Sequence, residues 1–101
     1  GATHDDLGNH NQALADYNRA IQLEPKNAAA YNNRGAFHGN LGNHAQAIAD
    51  FAKVIELDPQ NASAHYNRGV AYERLGNKEE SLNNIKEAAR LGHEGAKRLL
   101  K

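Results

Sequence analysis

The chain has 101 residues and contains no cysteine, methionine or tryptophan. Without cysteine it can form no disulfide, thiol nucleophile or thiolate metal site, and its redox compartment cannot be read from the sequence. Because methionine is missing even at position 1, we expect a piece of a longer protein, or a processed one. No apolar run approaches the roughly 20 residues that a membrane-spanning helix needs. We therefore expect a soluble protein with no membrane partner, of unknown compartment, with the cytoplasm as the default.

Net charge is also lacking, because 12 Lys and Arg residues balance 12 Asp and Glu residues. A chain without a basic excess has no overall field that would hold the phosphates of a nucleic acid or an anionic membrane. A nucleic-acid partner is therefore not expected.

An internal repeat is the strongest pattern that is present. When the chain is shifted by 34 residues, residues 1–27 match residues 35–61 at 15 of 27 positions. The tripeptide Leu-Gly-Asn also recurs at this spacing, at residues 7–9, 41–43 and 75–77. Glycine can adopt the left-handed conformation that closes a helix, and the following asparagine can cap the next helix. The repeat unit is therefore predicted to contain a helix, a tight turn and a second helix.

Proline marks a second kind of helix boundary, since Pro25 and Pro59 each stop a helix and are followed by a capping asparagine. Between these marks the apolar residues follow helical spacing, and no segment alternates with the period of a strand. The predicted helices cover residues 10–23, 28–41, 44–57, 62–75, 78–90 and 94–100, with residues 1–7 as a stub. The predicted capping residues are Asn9, Asn27, Asn43, Asn61 and Asn77.

The sequence resembles the tetratricopeptide repeat family. When Pro59 is aligned with the family's proline, Tyr31 and Phe51 fall on its aromatic positions, and Gly35 and Ala47 on its small positions. The resemblance covers about 95 residues, with small and large residues recurring together at fixed offsets. It implies an all-α fold, a right-handed superhelical stack of antiparallel helix pairs, and a role in protein interaction.

The alignment also sets the predicted repeat boundaries. Residues 1–27 form a truncated first repeat that contains half of its first helix and all of its second. Residues 28–61 form the second repeat, and residues 62–95 form a third, which has diverged because only 9 of its 34 positions match the second. Residues 96–101 are the end of a C-terminal capping helix that closes the stack with a polar face.

Six histidines raise the question of a metal site or a catalytic base. His38 shares its repeat position with Tyr72, and His65 shares its position with Tyr31, so these rings are predicted to fill aromatic packing positions. Equivalent residues of neighbouring repeats lie about one helix diameter, or ~10 Å, apart, which is too far for shared metal ligation. Neither regularly spaced carboxylates nor a phosphate-binding glycine loop points to a reaction. No enzyme, catalytic residue, metal or cofactor is therefore predicted.

Asparagine gives the main candidate for binding, since Asn33 and Asn67 recur in the middle of a first helix, where asparagine is a poor helix former. The resemblance implies that this position faces a concave groove, where a side-chain amide can pair with the backbone of an extended peptide. The alternative is a solvent-facing residue inherited by repeat duplication. The predicted peptide-groove residues are Asn33, Asn67, Asn32, Asn40, Tyr66, Val70 and Arg74.

Two other functions stay open at this level. A carboxylate clamp for the acidic tail of a chaperone needs several groove cations, of which Arg74 is the obvious one. A structural module could instead form a homo-oligomer through its incomplete first repeat, where Leu14, Tyr17 and Ile21 are predicted to be left partly uncovered.

Arg34 and Arg68 are predicted to be structural. Each stands where the family usually has a leucine facing the partner helix, so its stem would cover apolar surface while the guanidinium reaches a carboxylate. Asp16 and Asp50 are the predicted partners.

Overall fold

The computed structural model describes the backbone of residues 2–100 and the side chains of residues 9–100. Within that span the chain forms six α-helices and no strand. From α2 onward, every observed helix lies within one residue of its predicted bounds. Gly1 and Lys101, the two ends of the predicted repeats, lie outside the described residues, as does the side chain of His4. The helices are α1 (Ala2–Leu23), α2 (Ala28–Asn40), α3 (His44–Leu57), α4 (Ala62–Arg74), α5 (Lys78–Arg90) and α6 (Glu94–Leu99).

The first helix differs from the prediction, because α1 runs without interruption through residues 7–9. The predicted stub over residues 1–7 and the predicted cap at Asn9 are therefore wrong. Continuing α1 adds one hydrogen bond per residue with no new nucleus, and this gain outweighs the poor helix propensity of Gly8.

A three-residue turn connects the helices at three places. Gly42, Gly76 and Gly92 have positive φ angles of 84°, 84° and 103°. In the first turn, the Asn43 amide donates to the His38 carbonyl at 2.8 Å and the Gly42 amide donates to the Gly39 carbonyl at 3.1 Å. This pair of bonds is the Schellman motif, which reverses the chain and satisfies the last carbonyls of the helix. The same pair recurs at Asn77 with Gly76, and at His93 with Gly92.

The predicted asparagine caps are formed in three of the five cases. The side chains of Asn27 and Asn61 accept from the amides of Ala30 and Ala64 at 3.2 and 3.0 Å, and Asn77 accepts from Glu80 at 3.4 Å. Asn43 precedes α3 but makes no side-chain capping bond. Asn9 has no cap to make, because it lies inside α1.

Small residues let the helices approach each other closely. Helices that are consecutive in the chain pack together, and α2 also touches α4. Ala47, Ala64 and Ala88 are fully buried. A Cβ added at Gly35 would lie 2.9 Å from the Phe51 ring, so glycine is required where α2 meets α3. The resulting core is thin, and most of its contacts are local in sequence.

Arg34 joins three helices through hydrogen bonds. Its Nε and Nη2 donate to Asp50 at 2.9 and 2.7 Å, and its Nη1 donates to Asn18 of α1 at 2.8 Å. Asp50 is buried, with 4% of its surface exposed. The hydrogen bond from Arg34 to Asp50 raises the pKa of the guanidinium above its ordinary value, so Arg34 stays charged. The predicted partnership of Arg34 with Asp50 is confirmed.

In the third repeat a neutral amide takes the place of the buried carboxylate. Arg68 Nε donates to Asn84 Oδ1 at 2.7 Å, and Asn84 in turn donates to the Glu80 carbonyl at 2.8 Å. Asn84 stands 34 residues after Asp50, so the buried carboxylate has become an amide. Asp16, the other predicted partner, is exposed and accepts only a long 3.4 Å bond from Gln12.

We expect Asp50→Asn, which copies the third repeat into the second, to lower the free energy of unfolding by about 1.5–3 kcal/mol, because Arg34 loses one of two charge-assisted bonds. Urea unfolding followed by circular dichroism measures the change. Arg90→Ala is the control, since it removes an exposed pair with Glu87 and is expected to leave stability unchanged. Equal stabilities of Asp50→Asn and the wild type would contradict a structural role for this pair.

The last helix is held by a histidine. His93 Nδ1 accepts from the Ala96 amide at 3.1 Å and so caps α6. The His93 ring also stacks on Tyr66, with centroids 4.2 Å apart and an interplanar angle of 12°. Ala96 is fully buried against Ile85 and Ala88, so α6 covers the end of the core.

His93→Ala is expected to lower the free energy of unfolding by about 1–2 kcal/mol, since it removes the cap together with an aromatic contact. His93→Asn keeps an acceptor at the same position and should lose less. Thermal unfolding together with hydrogen exchange of the α6 amides measures both effects. The capping role would be refuted by an alanine variant that protects α6 as well as the wild type does.

Candidate functional site

A pocket opens where α2, α3 and α4 meet. Its volume is about 530 Å³. It lies beside the C-terminal halves of α2 and α4, and the turn between α2 and α3 forms one of its edges. The lining residues are Ala36, Gly39, Asn40, Gly42, His44, Ala47, Phe51, Asn67, Val70, Ala71 and Arg74.

Four of the predicted groove residues are brought together here: Asn40, Asn67, Val70 and Arg74. Asn40 and Arg74 occupy the same position in successive repeats, so they stand side by side on α2 and α4. Each amide offers both a donor and an acceptor. The pocket therefore combines peptide-like hydrogen-bonding groups with the apolar surface of Val70.

The other three predicted groove residues lie outside this lining. Asn33 is exposed on α2. Asn32 is half-buried, and its Oδ1 is buried without a hydrogen-bond partner among the described residues. Tyr66 is half-buried, and its ring is occupied by the stack on His93. Asn33 therefore adds an exposed amide to the surface of α2, the Asn32 carbonyl oxygen is buried, and the Tyr66 ring packs against the end of the stack.

The pocket contains residues that the sequence did not single out for binding. Phe51 and Ala47 of α3 are buried and form the floor, which first-helix positions alone could not predict. Gly39 leaves space in the pocket because it has no side chain. The repeat alignment marks Gly39 as unusual, because the equivalent residues, 34 positions before and after it, are Asp5 and Glu73.

Arg74 supplies the only formal charge among the described residues that line the pocket. It is exposed and makes no hydrogen bond or ion pair with another described side chain. No Asp or Glu is present among the described lining residues to neutralise it. The pocket thus presents an apolar floor, two amides and one positive charge that is open to a ligand.

Several of the described histidines are used in packing or capping, whereas His44 lines the pocket. His65 is buried, with Nε2 placed to donate to the Pro59 carbonyl at 3.1 Å, while His10 packs edge-on against Phe37 at 5.4 Å. Among the residues whose side chains are described, no group of three His, Asp or Glu residues is arranged to hold a metal ion.

The predicted self-association residues are all half-buried on α1. Leu14, Tyr17 and Ile21 are spaced three and four residues apart, so they share one helix face. Tyr17 packs against Phe37 of α2, with ring centroids 5.7 Å apart. Each side chain is covered only in part, which leaves an apolar strip on α1.

None of the helices described here is both long enough and apolar enough to cross a membrane.

Comparison with known families decides the assignment. A TPR repeat profile matches residues 5–42 and 40–76, and a tetratricopeptide repeat profile matches residues 62–93. The chain belongs to the tetratricopeptide repeat (TPR) family. The TPR chain folds as the predicted α-solenoid, and solved TPR structures superpose on it at high confidence. No curated protein sequence matches it.

Three solved structures illustrate the likeness. MamA superposes with a TM-score of 0.81 at 29% identity over 96% of this chain and 57% of its own. YrrB, described as a TPR protein with an unusual peptide-binding site, gives 0.79 at 31% identity over 88% of this chain and 46% of its own. The first TPR of Spaghetti (RPAP3), bound to the HSP90 peptide SRMEEVD, gives 0.84 at 22% identity over 99% and 81%. The last likeness concerns the fold alone, and the chain spans little more than half of MamA.

We expect equimolar or excess Zn²⁺ to leave the melting temperature unchanged, because no group of three metal-ligating side chains is arranged around one point among the described residues. A metal ion that bound only the folded state would raise the melting temperature. Differential scanning fluorimetry with and without Zn²⁺, and again after chelation, measures this. A rise in melting temperature that is abolished by His38→Ala or His44→Ala would reveal a metal site and contradict the packing roles of the histidines.

Proposed function

We propose that this TPR chain is a protein-interaction scaffold that binds an extended peptide segment of a partner protein in the groove between α2 and α4. The observation that carries the proposal is the pocket in which the Asn40 and Asn67 amides adjoin an apolar floor. An extended peptide has unpaired backbone N–H and C=O groups along both edges. A row of side-chain amides can pair with these groups whatever the peptide's sequence.

The energetics favour a modest, sequence-tolerant interaction. Each hydrogen bond adds about 0.5–1.5 kcal/mol net, because water is displaced from both partners. Burial of apolar side chains against Val70 and Phe51 would add the remainder. The groove needs no rearrangement of Asn67, since it already lines the pocket. YrrB, at 31% identity, supports peptide binding as a function of this fold.

The carboxylate clamp is less well supported. It requires several cations around one carboxylate, and Arg74 is the single formal charge in the described pocket lining. Asn40 occupies the equivalent position of the preceding repeat and is neutral. A tail carrying several negative charges would therefore find one complementary group at this pocket.

The test uses peptides selected from a random library against the whole chain. For such a peptide, we expect Asn40→Ala combined with Asn67→Ala to weaken binding about tenfold, since two amide contacts at ~0.5–1.5 kcal/mol each are lost. Isothermal titration calorimetry gives the dissociation constants. Asn11→Ala with Asn83→Ala is the matched control, because both residues are exposed on α1 and α5, away from the pocket. Equal affinities for the groove variant and the control would disprove the groove mechanism.

Self-association is the second candidate, and the apolar strip of Leu14, Tyr17 and Ile21 favours it. If α1 pairs with another copy, the average mass from light scattering should rise with protein concentration. Leu14→Gln should reduce that rise while circular dichroism shows the helices intact. A concentration-independent monomeric mass would rule this candidate out.

A further inference from the structure

The glycines from residue 35 onward fall into groups by structural need. Three of them adopt positive φ in the turns, where other residues are strained: Gly42, Gly76 and Gly92. Three others sit where an added Cβ would approach a neighbouring atom within 2.9 Å: Gly35, Gly69 and Gly95. Gly39 belongs to neither group. Its added Cβ would meet only the Ala47 Cβ at 4.0 Å, which is ordinary van der Waals contact.

Gly39 is therefore a glycine that the fold does not require. It lies inside α2, where glycine is among the poorest helix formers. The equivalent positions of the neighbouring repeats carry Asp5 and Glu73, so a long side chain is acceptable at this place in the repeat. Glycine at position 39 weakens its helix without improving packing or turning the chain.

The missing side chain leaves space in the pocket, because Gly39 is one of its lining residues. The volume of about 530 Å³ falls within the range of about 300–1,000 Å³ that is usual for ligand pockets. A glutamate like Glu73 at this position would occupy part of this space. It would also place a negative charge beside Arg74.

We propose that Gly39 is a specificity-determining residue. It leaves room for one large apolar side chain of the bound peptide, and Arg74 pairs with an acidic residue next to that side chain. This inference rests on the proposed peptide-binding function. It adds the chemistry of the preferred partner: an extended segment in which a large aliphatic residue adjoins an aspartate or glutamate.

Both parts of the preference follow from the lining. A polar side chain would lose its hydration against Phe51, Ala47 and Ala71, which are buried and offer it no side-chain hydrogen bond. An acidic neighbour meets Arg74, which has no partner among the described residues and no competing carboxylate in the pocket lining. A basic neighbour would face this charge unfavourably.

The probes are three acetylated and amidated peptides of sequence GSLDSG, GSADSG and GSLNSG. Each is titrated into the ¹⁵N-labelled chain, and chemical-shift changes give the affinity and the residues involved. We expect GSLDSG to shift the amides around residues 36–44 and 67–74. GSADSG should bind about tenfold more weakly, because the pocket stays unfilled. GSLNSG should bind a few-fold more weakly, because the charge pair with Arg74 is lost.

Gly39→Ala separates binding from stability. Its methyl group enters the pocket without a clash, so we expect the melting temperature to rise while GSLDSG binds at least about fivefold more weakly. Asn83→Ala is the matched control: it replaces a poor helix former at an exposed position of α5 outside the pocket. It should raise the melting temperature but leave binding unchanged.

Each failure has a separate meaning. If Gly39→Ala binds GSLDSG as the wild type does, the role of Gly39 is overturned. If the wild type binds all three peptides equally and Asn67→Ala weakens all of them, the groove function stands and the pocket preference is overturned. If no peptide shifts the pocket resonances, both the preference and the proposed groove function fail.

Discussion

The structure depends on reversing the chain within three residues. The Schellman turns at Gly42, Gly76 and Gly92 place α3, α5 and α6 directly against the helix that precedes each of them. Because these turns are so short, the helices they join lie close together, and alanine and glycine occupy the contacting faces. The same closeness leaves a groove between α2 and α4, whose walls are the ends of helices that the turns hold in place.

Hydrogen bonds between polar side chains then add to the stability of each junction, that is, each contact between neighbouring helices. Arg34 reaches both α1 and α3, and its bidentate bond with Asp50 satisfies a carboxylate that burial would otherwise penalise. One repeat later, Asn84 satisfies Arg68 and the backbone without a buried charge. The two junctions share a geometry but differ in electrostatics, so ionic strength and temperature act on them differently.

The sequence predicts what is set locally. Turn glycines, prolines and helical periodicity give the helix bounds from α2 onward to within one residue. It fails where the outcome depends on a competing state or a distant partner. Residues 7–9 match two turns in sequence, yet they remain helical, because the same tripeptide can also continue a helix that has already formed. Tyr66, a predicted groove residue, also stacks on a ring 27 positions further along the chain, a contact that the repeat pattern did not indicate. The space beside Gly39 shows in the repeat alignment as a missing side chain between Asp5 and Glu73, but the alignment does not show that a pocket opens there.

Contacts between consecutive helices dominate this fold, while α2 and α4 touch only slightly. In such a linear array, cooperativity passes through nearest neighbours, and the terminal units can open separately from the rest. A ligand in the pocket would touch α2, α3 and α4 at once and so bridge two repeats. A bound ligand would therefore couple two partly independent repeats, so that they unfold as one unit. Binding would then make the thermal unfolding transition sharper and raise its midpoint temperature.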